Sequence, residues 1–468
     1  MLKNDDTLLN ELLSDENLKI AKQRVKKNKG ASGIDGMEVK ELDEYLSKHL
    51  DEIKEQIRNK KYSPKPVKRV EIPKPDGGVR NLGVPTVVDR FVQQAIAQIL
   101  TPIYEPKFSE SSYGFRPNRC CEMAIQKALE FMNDGYQWVV DIDLEKFFDN
   151  VNHDKMISLI MKDVKCGEIV SLINKFLKSG IMIDDEYKES VIGTPQGGNL
   201  SPLLSNIMLN QLDKELEARG LRFTRYADDC IILVGSSKAA DRVMKNVSIF
   251  IESKLGLKVN MTKSKVSKPN DIKYLGFGFF MDKNDGLWKA KPHAKSVEKL
   301  KLKLKKLTSR RRSISLDERL EKIKKTIVGW TNYYKIGYWK DVARMVDAHV
   351  RFRLRMCIWK QWKKVNTKKK ALISLGVPKR EAWMLANCRK AYARCASSFL
   401  NNVLTNKRLK ERGLVFLLDQ YNLKHCQYEF EPPCAERLAR WCERTKVLLL
   451  SPTRLCIKIG LFDKIKTQ

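Results

Sequence analysis

"RYADDCIILV", residues 225–234, sets two adjacent carboxylates, Asp228 and Asp229, between apolar runs of strand length. Neighbouring side chains on a strand point to opposite faces, so the two can converge on one object only where a tight turn twists them together. Tyr226-Ala227-Asp228-Asp229 sits where such a turn belongs, and residues 221–234 read as a hairpin around it. Close carboxylates repel, and beside a sheet they are costly unless one takes a proton or a cation arrives. A divalent ion, magnesium above all, removes that cost. An Asp-Asp pair alone is also what an ordinary solvated turn contains, so its surroundings decide.

Outward from this hairpin, "YQWVVDIDLEKFFDNV" (136–151) begins as a buried strand and turns helical, with Asp141 and Asp143 on one strand face. A third carboxylate from this segment would let two ions about 3.5–4 Å apart bridge both loci and a triphosphate, the geometry of nucleotidyl transfer. "GTPQGGNLSPLLSNIMLNQLDKEL" (193–216) reads as a glycine loop followed by a capped helix. Residues 67–90 read as a hairpin whose tip carries Lys74 and Arg80. Residues 8–28 read as helical pieces with Ser14 as a cap, ending at the turn "KGASGIDG". Strand, helix, strand pair and helix in this order imply an antiparallel sheet backed by helices, an α+β fold rather than a doubly wound one.

The chain has 468 residues, 43% of them apolar, enough for several cores, and a net charge of +33. The excess is uneven. Residues 291–370 hold 26 basic and 6 acidic side chains and residues 371–468 hold 18 and 8, so the first 290 residues are nearly neutral. A polyanion is the implied partner, nucleic acid ahead of an anionic membrane. From residue 291 the pattern is one of amphipathic basic helices, with Val297, Leu300, Leu304 and Leu307 on one apolar stripe. Met345, His349, Phe352, Met356 and Trp359 form a second, and both stripes are expected to face the core. Eleven cysteines without a C-x-x-C pair read as reduced thiols of a cytosolic protein, and Cys426, Cys434, Cys442 and Cys456 are poorly spaced for zinc. No apolar run approaches the roughly 18 residues of a spanning helix, so no membrane partner is expected.

"YADD" together with "DLEKFFD", "TPQGGNLSP", "GLKVNMTKSK" and "KYLGFGF" resembles, in order, the palm motifs of reverse transcriptases. With "NKGASGIDGM", "YGFRPNRC" and "GWTNYYKIG" (329–337), the chain is similar over about residues 8–415 to the bacterial group II intron reverse transcriptase/maturase family. The likeness is greatest to the short members without an HNH endonuclease. Beyond residue 349 only His425 and no C-x-x-C are available to such a nuclease. The resemblance implies a right-hand polymerase of fingers and palm followed by an α-helical thumb/maturase domain. Its expected divisions are an N-terminal extension (1–62), fingers and palm (63–290), thumb/maturase (291–370), a basic helical region suited to DNA (371–415) and a tail of unassigned role (416–468).

The resemblance also implies roles. Asp143 and Asp228, assisted by Asp229, would hold two Mg2+ ions, with Mn2+ as a substitute; Asp141 is the rival of Asp143. Asp143 is preferred because Phe148, five residues on, then falls where an aromatic excludes a ribose 2′-hydroxyl. Phe147 is the alternative, and a core aromatic is the plainer one. Lys74 and Arg80 would clamp the triphosphate, Gln196 and Gly197 would touch nucleotide or template, and Lys263 would protonate pyrophosphate, with Lys265 as its competitor. Gly276 would hold the primer terminus and Arg116 the template, although a loop glycine and a surface arginine could be structural. Partners implied are intron RNA, an RNA template with a DNA primer, dNTPs and target DNA, in a bacterial cytoplasm. The function implied is an intron-encoded RNA-directed DNA polymerase that also promotes splicing and retromobility. The alternatives are a related enzyme recruited to phage defence or DNA repair, and an RNA-binding splicing factor without polymerase activity.

Overall fold

The computed structural model describes residues 5–73, 78–183, 186–188, 193 and 197–430. The chain divides into two compact units, residues 1–290 and 291–468.

In the first unit, helices Asp5–Leu12 and Asp15–Asn28 are separated by Ser14, whose hydroxyl accepts the Asn17 N–H and so fills one open donor of the second helix. Strands Val67–Pro73 and Val79–Val84 pair antiparallel, with Ile72 opposite Arg80, and form the expected hairpin. Helix Val87–Tyr104 follows. Thr86 caps its start, and Phe91, Val92, Ala95, Ile96, Ile99 and Leu100 are buried on it at helical spacing, which makes it a central strut of the core.

The site rests on a four-stranded sheet ordered Arg222–Tyr226, Asp229–Val234, Trp138–Ile142, Lys265–Ser267, with every neighbouring pair antiparallel. Alternation along these strands divides the residues. Val140, Ile142, Cys230, Ile232 and Val234 join the main hydrophobic core, while Asp141 and its cross-strand partner Ile231 point to the other face. Mixed helices and antiparallel sheets agree with the α+β reading. One detail differs. Helix Ser201–Ala218 starts at Leu200 without a side-chain cap, relying instead on Pro202 in its first turn, which lacks the N–H that a cap would have to satisfy.

The second unit is helical. Val297, Leu300, Leu304 and Leu307 of helix Ala294–Leu307 are all buried, as the stripe predicts. The stripe on helix Lys340–Gln361 has to be corrected. Met345 is 48% exposed and His349 lies at the surface, whereas Val346 and Val350, one position further on, are buried with Ala343, Leu354, Met356 and Trp359. Met345 reads as core by hydropathy, but its flexible thioether is tolerated at a surface better than the branched Val346. Trp339 packs edge-on against Trp330 and Tyr421, with ring centroids 4.9 and 4.7 Å apart. Among the described residues no helix is long and apolar enough to cross a membrane.

Candidate active site

Tyr226 and Asp229 are paired across a two-residue turn, Ala227–Asp228, and Ala227 has φ 59°. A non-glycine residue in the left-handed region is uncommon and persists only where its surroundings hold it. Those surroundings are explicit here. Arg225, fully buried, donates from Nη1 to the Ala227 carbonyl at 2.9 Å and to Asn206 Oδ1 at 3.0 Å. Its Nε donates to Asp213 Oδ1 at 2.7 Å, and its Nη2 to Asp213 Oδ2 and Ser112 Oγ at 2.5 and 2.8 Å. Asp213 is fully buried as well, so the pair is a two-pronged ion pair in a dry place with its remaining donors satisfied. From the outside, Gly114 abuts the turn so closely that a Cβ there would lie 2.2 Å from the Ala227 nitrogen. Only glycine allows that approach.

The second carboxylate segment comes alongside in register. Ile142 pairs with Cys230, which sets Asp143, the next residue, across from Asp229 at the end of the sheet. Asp143 is pinned through its backbone: its N–H donates to Ser264 Oγ at 3.0 Å and its carbonyl accepts the Asn260 N–H at 2.8 Å. Asp141, two residues back, is pushed up to about 6, first by burial and then by the charge on Asp229, opposed by Lys265 and reinforced by Asp143. Lys265 is its cross-strand partner, and the lysine amine donates to the Asp271 carbonyl at 2.7 Å. Lys263 sits in the exposed turn before that strand.

Carboxylates crowded enough for Asp229 and Asp143 to raise Asp141 suit a hard divalent cation. Among the described residues no group of three or more His, Cys, Asp or Glu side chains is placed to hold a metal ion. An open set is what magnesium uses, since it takes one or two carboxylates and completes its shell with water and substrate phosphates.

Around this core, Phe147 is buried and Phe148 is half-buried, the rings edge to face at 5.1 Å, so of the two only Phe148 keeps surface to offer a ligand. A Cβ at Gly193 would lie 3.0 Å from the Phe148 carbonyl, and one at Gly197 would lie 2.5 Å from the Gly83 carbonyl in strand Val79–Val84. Gly276, with Leu275, makes the positive-φ turn between Tyr274 and Phe277, and the Tyr274 hydroxyl donates to the Thr224 carbonyl of the site's own strand at 3.2 Å. Lys74 and Gln196 lie outside the described residues, and of Arg80 only its backbone place in the hairpin is described.

Arg116, expected to contact the template or else to be a surface arginine, is buried. Its side chain is 2% exposed, paired with Glu105 at 2.8 Å and donating to the carbonyls of Ser109 and Ser112 at 2.5 and 2.9 Å. A guanidinium so committed braces the loop it belongs to. Sequence reasoning missed Arg225, Asp213 and Ser264. Arg225 stands in the very motif quoted first, and an arginine in an otherwise apolar strand was the available signal.

Comparison with known proteins is consistent with these elements. Residues 72–279 match the family described as reverse transcriptase (RNA-dependent DNA polymerase), and residues 297–374 match the group II intron maturase-specific domain. Protein YkfC of Escherichia coli K12 is 32% identical over 284 residues, 52% of this chain and 74% of that protein. The group II intron-encoded protein LtrA of Lactococcus lactis subsp. cremoris is 38% identical over 213 residues, 45% of this chain and 35% of LtrA. A 91 kDa protein in a cob intron of Schizosaccharomyces pombe is 29% identical over 335 residues, 58% of this chain and 41% of that protein. The chain belongs to the group II intron reverse transcriptase/maturase family. The enzyme class of that family is RNA-directed DNA polymerase dependent on divalent metal, and its partner classes are intron RNA and nucleic-acid substrates.

Proposed function

We propose that this chain copies RNA into DNA from a primer 3′ end with dNTPs, and that its basic helical unit binds the intron RNA to promote splicing and retromobility. The observation that carries the reading is the register that brings Asp143 across from Asp229 beside the braced Ala227–Asp228 turn. Asp143 and Asp228, assisted by Asp229, would hold two Mg2+ ions, for which Mn2+ would substitute, and which would supply positive charge for phosphoryl transfer. Lys74 and Arg80 bind the triphosphate, Gln196 and Gly197 the nucleotide or template, and Gly276 the primer terminus. Phe148, rather than buried Phe147, excludes a ribose 2′-hydroxyl. Lys263 supplies the proton that pyrophosphate takes as it leaves, since the Lys265 amine is engaged by the Asp271 carbonyl. We assign residues 63–290 to fingers and palm, 291–370 to thumb and maturase, and 371–415 to a surface suited to target DNA.

Primer extension on an RNA template in magnesium tests this. The parent extends and Asp228→Ala loses about a hundred- to a thousandfold, the scale of removing a principal electrostatic element from an active site. Intron RNA binding without extension by the parent would favour the splicing-factor reading instead.

A further inference from the structure

The loop between Tyr113 and Asn118 carries a cost that packing does not repay. Phe115 has φ 59° and Asn118 φ 57°. Asparagine tolerates that conformation, whereas for a bulky aromatic it is an outlier. Phe115 is 54% exposed, while Tyr113 before it is buried.

The loop is nevertheless held on all sides. Tyr113 N–H donates to the Arg225 carbonyl at 2.8 Å, and Arg225 N–H to the Ser111 carbonyl at 2.9 Å, so the segment runs beside the strand that leads into the catalytic turn. Asn206 Nδ2 donates to the Gly114 carbonyl at 2.9 Å, and Arg116 clamps the other flank on Glu105 and the carbonyls of Ser109 and Ser112. Gly114, the residue before Phe115, is the one pressed against Ala227. A strained, solvent-exposed aromatic residue is thus fixed one residue from the contact with the carboxylate turn.

Strain of this kind is retained where function uses the geometry. We propose that Phe115 is a stacking platform for a nucleobase at the growing end of the template–primer duplex. Stacking accepts every base, because each has a π face, and so suits an enzyme that must copy any sequence. This rests on the polymerase reading above and adds to it a contact that no charged residue of the site provides.

The test compares Phe115→Gly and Phe115→Tyr with the parent in three measurements: template–primer affinity by fluorescence anisotropy without dNTP, single-nucleotide extension, and thermal unfolding. Expected is a loss of affinity and extension of about five- to hundredfold for Phe115→Gly. Its melting temperature should equal or exceed the parent's, because glycine relieves the backbone, and Phe115→Tyr should recover most of the loss. Duplexes abasic at the templating position or at the primer terminus identify the stacked base, since the glycine penalty disappears in the arm that lacks it. The inference is overturned if Phe115→Gly binds within twofold of the parent, if Phe115→Tyr loses as much as Phe115→Gly, if the loss comes with a lower melting temperature, or if neither abasic arm changes the penalty. A parent that binds duplex without extending it would sink the polymerase reading, while the affinity comparison would still decide the role of Phe115.

Discussion

Arginine is buried in two ways, and the buried arginines described in the second unit use only one of them. Beneath the carboxylate turn of the first unit, Arg225 is matched by a buried anion, Asp213. In the second, buried Arg319 donates to the carbonyls of Leu307 and Ser309, and buried Arg355 donates to the carbonyl of Leu404 at 3.0 Å. The second unit thus satisfies its interior cations without spending acidic residues, and residues 291–370 carry 26 basic against 6 acidic side chains. The first unit is near neutral as a whole yet gathers Asp141, Asp143, Asp228 and Asp229 at one end of a sheet. One unit has a local surplus of negative charge and the other a diffuse surplus of positive charge. The first asks for compact divalent cations, the second for an extended polyanion.

The comparison breaks most visibly at the buried pair. Arg225→Met leaves the Asp213 carboxylate unpaired in a dry place and is expected to cost about 3–5 kcal/mol in urea unfolding, with much of it recovered in Arg225→Met/Asp213→Leu. A double variant as unstable as the single one would mean that the arginine braces the turn through Ala227 rather than through its ion pair.

A smaller effect should come from Asp141. Its folded pKa of about 6 lies above the unfolded carboxylate value, so the native state binds the extra proton between about pH 4 and 6, and stability falls as pH rises through that window. In metal-free protein, Asp141→Asn should therefore stabilise at pH 7.5 by at most about 3 kcal/mol, with the gain vanishing near pH 4. Melting curves at the two pH values, with and without magnesium, check this.

The smallest expected change sharpens the other side. Arg311→Gln, at an exposed site of the basic unit, should lower the slope of log affinity for intron RNA against log salt by about 1. Lys48→Gln in the first unit, where the lysine is paired with Glu44, should leave the slope unchanged.

Much of this was legible in the sequence, where local rules decide the outcome. Ser14 caps its helix, strands Val67–Pro73 and Val79–Val84 pair as a hairpin, and the stripe from Val297 to Leu307 is buried, because each depends on neighbours within a turn or two. What escaped depends on partners far away in the chain. Arg116 becomes a brace because Glu105 and two carbonyls surround it, and Arg225 becomes interior because Asp213, on another element, reaches it. Hydropathy also misjudged Met345 by one position, since methionine suits either environment. At the site itself, the motif order indicated which carboxylates to pair, whereas Ser264 on the Asp143 backbone carries no sequence signal of its own.

The central claim is that the segments of Asp143 and Asp228 jointly hold divalent ions. Counting bound Mn2+ by electron paramagnetic resonance, with template–primer and a non-reactive dNTP analogue present, tests it most directly. Two ions in the parent, and fewer in both Asp143→Asn and Asp228→Asn at unchanged melting temperature, are expected. Two ions retained in either variant would contradict the claim.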